Sequence, residues 1–319
     1  MVHDMGEKII YLDRDFREEF IDKIKSIAPN YTIKTDLTEE ELPDVEISLG
    51  WNRNYQEKLL AYDHLKWVQS ISAGVDTLPL DKFAEKEILV SNGSGIHSES
   101  IAEHIMGIIL GYSRGLFQAQ RAQVAKKWLG SNVHYQPLEN QKVLIIGTGK
   151  IGKMVAKKAT GFDMECYGIN TSGHPVDGFK QTYSLEELSE IVSEMTIVVN
   201  ILPLTEETKG LFNGELFKKF NRQAVLINVG RGASLKTDEL VVALNEGRLA
   251  FAALDVFEEE PLPYDSPLWE MDNVLLTSHI AGLTPDFQNK LMKIFLDNLQ
   301  SYMTNHELKV NQVELNKGY

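Results

Sequence analysis

The feature that most constrains this chain is the run Val143-Leu144-Ile145-Ile146 followed at once by Gly147-Thr148-Gly149-Lys150-Ile151-Gly152. Four apolar residues in a row read as a buried strand, and helical character begins at Lys150, so the glycines fall at a strand-to-helix turn. Each has its own physical task. Gly147 permits the tight turn, Gly149 lets backbone approach a pyrophosphate, and Gly152 lets helix and strand pack closely. Phosphates would then sit at the positive end of the helix, where backbone N–H groups have no partners of their own. The same spacing arises by chance in many chains. Its place between a buried strand and a helix is what points to a dinucleotide.

Short apolar runs alternate with amphipathic stretches along the whole sequence, the pattern of parallel strands joined by crossover helices. Strands are expected at 8–12, 45–49, 67–71 and 88–91, with a helix over 17–27. Residues 98–124 are helical in character, with Ile101, Ile105, Ile108, Ile109 and Tyr112 at helical spacing. Beyond them, strands are expected at 141–146, 164–169, 197–200, 224–229, 250–256 and 274–277. A capping box at Ser184 and Glu187 opens one intervening helix, and a last helix is expected over 286–303. The fold class implied is α/β, with two doubly wound domains, Rossmann-like or flavodoxin-like, each on a parallel sheet. A length of 319 residues is itself long for one core.

Composition narrows the function classes. With 43% hydrophobic and 24% charged residues, the chain is an ordinary globular one. A formal net charge of -14 argues against nucleic acid or an anionic membrane as partner. The longest apolar run near the first helices, 105–110, is too short to cross a bilayer, and residues 1–8 do not resemble a signal peptide. The one cysteine, Cys166, has no internal partner for a disulfide, as suits a cytoplasmic protein. No metal site is expected.

Three polar residues stand out downstream of the glycine turn: Arg231 in Asn228-Val229-Gly230-Arg231-Gly232, Glu260 ending Glu258-Glu259-Glu260-Pro261, and His279 in Thr277-Ser278-His279. Arginine can grip a carboxylate in a bidentate fork, and histidine can give or take a proton near neutral pH. A carboxylate beside an imidazole fixes its tautomer and favours its charged form. Taken singly, each has a blander reading: an arginine in a surface loop, a solvated acidic run, a structural histidine at a strand end.

In this order and in these contexts the fragments resemble the D-isomer-specific 2-hydroxyacid dehydrogenases, and the likeness runs over most of the chain. The resemblance implies a substrate domain over 1–98, completed by 285–319, and a dinucleotide-binding domain over 99–284. It implies that Arg231 binds the substrate carboxylate and polarises the carbonyl, that His279 exchanges the proton, and that Glu260 is the catalytic acid behind it. Glu258 and Glu259 are assigned to solvent. Where the family commonly has proline before the histidine, Ser278 stands here. Backbone of the turn 147–152 and of Leu202, Pro203, Thr208, Val229, Gly230 and Gly282 would meet the cofactor. Asp255 matches the contact to the nicotinamide carboxamide, with a plain strand-end cap as the alternative. Ser72-Ala73-Gly74-Val75-Asp76 matches a loop that binds substrate through Ala73 and Gly74; Trp51 is assigned to the same site, and Arg53 near it reads first as a residue of a surface loop.

The position that reads the adenosine ribose falls on Asn170-Thr171-Ser172. An acid there would accept from the ribose diol and repel a 2′-phosphate. Its absence favours NADP over NAD, although no arginine is present either. The substrate expected is a small 2-keto acid such as glyoxylate, hydroxypyruvate or pyruvate. A homodimer through the nucleotide domain is also implied, with 98–128 wrapping the partner and Ile105, Ile109, Leu116 and Trp128 supplying apolar surface. Formate members lack the glutamate, and phosphoglycerate members often carry a further regulatory domain. L-specific lactate and malate enzymes place the glycine turn near the N-terminus. A nicotinamide-sensing interaction protein on the same fold is the alternative from another class.

Overall fold

The computed structural model describes residues 8–51, 54–75 and 77–316. Arg53 and Asp76, singled out above, therefore lie outside the described residues. The chain divides into two compact units, Met1–Ile96 with Thr284–Tyr319, and His97–Leu283.

The first unit is a five-stranded sheet of β1 (Lys8–Leu12), β2 (Tyr31–Lys34), β3 (Val45–Leu49), β4 (Trp67–Gln69) and β5 (Leu89–Ser91). Its order is β2-β1-β3-β4-β5 and every pairing is parallel, the flavodoxin-like arrangement. The central strands are apolar on both faces because both are covered: Ile10, Leu12, Ile47 and Leu49 are buried on one face and Ile9, Tyr11 and Val45 on the other. On one face the helix Glu18–Ile27 packs beside the long helix Phe287–Asn305. Phe295 of that helix stacks on the buried Trp67 at 5.0 Å. Tyr302 and Tyr31 both donate to Glu46 Oε1, at 3.1 and 2.7 Å. Chain beyond residue 284 is thus part of this unit's own core, and Asn298, fully buried, fixes the tail by bonding Lys309 N, Val310 N and Val310 O.

The second unit holds seven parallel strands: β6 (Lys142–Ile146), β7 (Glu165–Asn170), β8 (Gln181–Ser184), β9 (Ile197–Asn200), β10 (Val225–Asn228), β11 (Phe251–Leu254) and β12 (Val274–Leu276). Their order is β12-β11-β10-β9-β6-β7-β8. The chain starts at β6, runs outward through β7 and β8, then returns to β9 on the other side of β6. That reversal is the topological switch point, outside whose carboxyl ends ligands bind in such sheets. One core lies on each face. Val143, Ile145, Val199 and Ile227 meet the helices Ser98–Ser113 and Lys150–Thr160 on one side, and Leu144, Ile146, Val198 and Leu226 line the other. Each such buried aliphatic side chain contributes roughly 1.5–3 kcal/mol relative to exposure.

Three differences from the sequence expectations have physical causes. β2 and β8 are edge strands of mixed composition, Tyr-Thr-Ile-Lys and Gln-Thr-Tyr-Ser, so neither shows a buried run. The stretch 98–124 is two helices, Ser98–Ser113 and Leu116–Val124, parted at Gly115, whose φ of +68° a helix cannot hold. Ile105 and Ile109 are almost fully buried against the sheet, so they are core and supply no surface to a partner.

Candidate active site

β6 delivers the chain into Gly147, which adopts φ +113° and donates its N–H to Ile169 O at 2.9 Å. The helix Lys150–Thr160 starts immediately, with Gly149 at its N-cap. A Cβ on Gly152 would lie 2.0 Å from Gly147 O, so only glycine lets this helix seat on the turn, whereas a Cβ on Gly149 would meet nothing within 4 Å. The turn therefore has open space at its middle glycine and first-turn N–H groups beside it, the arrangement that receives a pyrophosphate. Thr148 is buried, Lys150 is exposed and Ile151 is half-buried at the same turn. Although the residue as a whole is exposed, desolvation of its ammonium beside the turn lowers Lys150 from its ordinary value.

At the end of β7 the side chain of Asn170 is spent on its own loop. Its Nδ2 donates to His174 O at 2.8 Å and its Oδ1 accepts Ser172 N at 3.2 Å. Ser172 Oγ lies 3.0 Å from His174 Nδ1. Thr171, Ser172 and His174 are exposed, so the polar groups this loop presents are those three and not the asparagine amide. His174 was absent from the sequence assignment because no spacing rule joins it to Ser172.

Arg231 follows β10 and is held by a buried polar network. Asn200 Nδ2 donates to Asn228 Oδ1 and to Ser234 Oγ, both at 2.9 Å, and Ser234 Oγ donates to Arg231 O at 2.6 Å. Asn200 Oδ1 accepts Leu202 N at 3.2 Å, which ties the Arg231 loop to the next turn. In that turn the Thr208 hydroxyl is occupied internally, donating to Pro203 O at 2.7 Å. Val229 N bonds Asn200 O at 3.1 Å, and Gly230 N bonds Asn228 Oδ1 at 3.2 Å. Asn200 and Ser234 were missed from sequence. A signal was present, since β9 and β10 each end an apolar run on asparagine.

Glu260 follows β11 and His279 follows β12. His279 Nδ1 lies 2.8 Å from Glu260 Oε2, and Glu260 Oε1 accepts Phe257 N at 3.0 Å. The pair is accessible, with His279 54% and Glu260 36% exposed. A carboxylate on Nδ1 leaves Nε2 as the nitrogen open to exchange a proton. Glu258 is exposed and also accepts Thr237 N at 2.8 Å, giving a partner to the first N–H of the helix Thr237–Asn245. Asp255, 2% exposed, accepts Ile280 N and Ala281 N, both at 2.9 Å, and the Thr277 hydroxyl at 2.6 Å. These are strand-end capping bonds. Gly282 O lies 2.7 Å from His97 Nδ1.

Arg231, Glu260 and His279 thus follow three adjacent strands at the carboxyl end of one parallel sheet, and the glycine turn and the loop after β7 lie at that same end. Trp51, Ala73 and Gly74 belong to the first unit, after β3 and β4. Ala73 O accepts Asn92 Nδ2 at 3.0 Å, Gly74 O accepts the Ser72 hydroxyl at 2.7 Å, and the Trp51 ring packs edge-on against Phe83 at 5.0 Å. Among the described residues no cluster of side chains suits a metal ion, and no helix is long and apolar enough to cross a membrane.

Residues 106–281, more than half of the chain, match the family model described as D-isomer specific 2-hydroxyacid dehydrogenase, NAD binding domain. The chain is 34% identical over 272 residues to glyoxylate/hydroxypyruvate reductase B of Escherichia fergusonii, covering 82% of each. An NADPH-dependent glyoxylate/hydroxypyruvate reductase from Sinorhizobium meliloti, solved with NADP and sulfate, superposes with a TM-score of 0.82 at 25% identity, over 98% of this chain and 100% of that one. A phosphoglycerate dehydrogenase from Lactobacillus plantarum is 36% identical, with a TM-score of 0.59 over 96% of this chain and 100% of that one. The glycine turn at the switch point, the parallel sheets and these likenesses agree: the chain belongs to the D-isomer-specific 2-hydroxyacid dehydrogenase family, and is an NAD(P)-dependent oxidoreductase.

Proposed function

We propose that this protein reduces a small 2-keto acid, such as glyoxylate or hydroxypyruvate, to the D-2-hydroxy acid, and runs the reverse reaction under oxidising conditions. The observation that carries the reading is the 2.8 Å pair of His279 Nδ1 and Glu260 Oε2, which follow β12 and β11 in a row with β10, the strand that precedes Arg231. The bound nicotinamide supplies the hydride. Arg231 grips the substrate carboxylate and draws charge onto the carbonyl oxygen as it becomes an alkoxide. His279 gives that oxygen a proton from Nε2, and Glu260, on the opposite nitrogen, holds the ring in place for it. Trp51, Ala73 and Gly74 are assigned to substrate on resemblance.

The dinucleotide would be held by 147–152 through backbone N–H groups, with Lys150 adding positive charge, and by the turns carrying Leu202, Pro203, Thr208, Val229, Gly230 and Gly282. Asp255 acts on this reading mainly through the loop it caps. Cofactor choice is proposed to fall on NADPH. Thr171, Ser172 and His174 offer polar groups and no carboxylate where a 2′-phosphate would lie, and the related Sinorhizobium enzyme is named as NADPH-dependent. Initial rates with glyoxylate, hydroxypyruvate, pyruvate and phosphohydroxypyruvate, each with NADH and NADPH, test the substrate and cofactor together. NADPH is expected to match or exceed NADH in kcat/KM. Asn170→Asp should turn that preference toward NADH, since one charge near a phosphate is worth about 1–4 kcal/mol before screening. A strong NADH preference in the unmutated protein would defeat the NADPH reading. Cofactor binding without turnover of any keto acid would favour the sensing role.

Pairing of two copies through the nucleotide-binding unit is proposed on narrower grounds than the sequence offered. Leu116, Val124 and Trp128 are 56%, 76% and 95% exposed on or just beyond the helix Leu116–Val124, more apolar surface than a lone copy needs. Sedimentation equilibrium should give a dimer at micromolar concentration. A monomer throughout that range would reject the pairing.

A further inference from the structure

Residues 279–281 hang on one side chain and its backbone. His279 N donates to Asp255 O at 2.8 Å, Ile280 N to Asp255 Oδ1 at 2.9 Å and Ala281 N to Asp255 Oδ2 at 2.9 Å. His279 itself is held at φ +55°, a region that side chains with a Cβ enter at a cost. Something must therefore keep Asp255 correctly turned. Thr277 Oγ1 lies 2.6 Å from Asp255 Oδ1 and 3.3 Å from His104 Nε2. An ionised carboxylate only accepts, so the single hydroxyl proton of Thr277 goes to Asp255. The hydroxyl then has only lone pairs left for His104, and Nε2 must carry the hydrogen. The direction of the whole chain, His104 to Thr277 to Asp255, is set by this count. His104 is half-buried on the helix Ser98–Ser113, where burial lowers its imidazole from the ordinary histidine value and the Asp255 charge opposes this. A neutral ring with the proton on Nε2 suits the donor role.

We propose that His104 is a positioning residue for His279: its Nε2–H, relayed by the Thr277 hydroxyl, fixes the Asp255 carboxylate from which residues 279–281 are suspended. The inference rests on His279 being the proton donor proposed above. His104→Leu and Thr277→Val break the relay at different points. Each should lower kcat for keto-acid reduction about five- to tenfold, the scale of one buried hydrogen bond. KM for the keto acid and the cofactor Kd, read by NADPH fluorescence, should stay within about twofold. Thr277→Ser and His104→Gln, which keep a hydroxyl and an N–H, should recover most of the loss.

A merely structural role predicts otherwise: kcat would fall alike in His104→Leu and His104→Gln and follow the drop in Tm, and that result would overturn the proposal. Wild-type kcat in both His104→Leu and Thr277→Val would overturn it too. A reference variant separates the two layers. If His279→Asn retains turnover, the proton-donor reading fails by itself. If His279→Asn is inactive while the relay variants are normal, only the present inference fails. In the His279→Asn background, Thr277→Val should cost nothing more, because the relay acts through the missing imidazole.

Discussion

Replacing His279 with asparagine is expected to lower kcat for keto-acid reduction by about 10²–10⁴-fold, the usual contribution of a positioned general acid, while NADPH binding survives. The ring sits after β12 with Nδ1 committed to Glu260 at 2.8 Å, so the variant removes the donor without touching the glycine turn. Glu260→Gln is the subtler partner experiment. The 2.8 Å contact on Nδ1 orients the ring, so exchanging the carboxylate for an amide should lower kcat/KM for the keto acid while the cofactor Kd is unchanged. Unaltered kcat/KM in Glu260→Gln would mean that the pair seen here does not operate in catalysis. Loss of NADPH binding in either variant would mean that the residues shape the cofactor site instead.

Arg231→Lys should be nearly as damaging to kcat/KM for the keto acid, by about 10²–10³-fold, with cofactor Kd unchanged. Lysine keeps the charge and loses the planar fork that meets a carboxylate with two hydrogen bonds and faces the developing alkoxide. Stability should change little, because Asn228 Nδ2 and Ser234 Oγ hold the backbone oxygen of residue 231 and Asn200 holds both of them, while the guanidinium adds a 3.0 Å bond to Gly230 O. Steady-state kinetics beside a cofactor titration decides this. Equal loss of both affinities would make Arg231 a structural residue.

How much of this was legible in the sequence depends on how local the cause is. The turn Gly147–Gly152 was readable because each glycine answers a backbone demand within six residues, and the structure meets the same demands in φ at Gly147 and in the contact of Gly152 with Gly147 O. Interior strands were readable because they are covered on both faces. The edge strands β2 and β8 were not, since a strand with one neighbour and a wet flank needs no apolar run. In 98–124 the helical period was visible, but it hid both the break at Gly115 and the burial of Ile105 and Ile109. Arg231, Glu260 and His279 could be named in order, yet the distance between Glu260 and His279 depends on β11 and β12 being neighbours. The relay from His104 to Asp255 spans about half the chain, and the Asn200–Ser234 bond joins the end of β9 to the loop that follows β10; neither has any periodic trace. At Asn170 the residue was read correctly as lacking a charge, but its amide is consumed by the loop, and His174 takes the place beside Ser172.

On the function proposed above, hydride passes from a nicotinamide held at the 147–152 turn to the carbonyl carbon of a 2-keto acid, with D configuration in a chiral product. This transfer is tested most directly by incubating the protein with NADPH or NADH deuterated at the transferable C4 position and with hydroxypyruvate, glyoxylate or pyruvate in turn, then examining the product by mass spectrometry and chiral chromatography. The expected result is one deuterium on C2 of the hydroxy acid, one cofactor oxidised for each product formed, and D-glycerate or D-lactate where the product is chiral. Label absent from C2, an L product, or bound cofactor that is never oxidised by any of the three acids would contradict it.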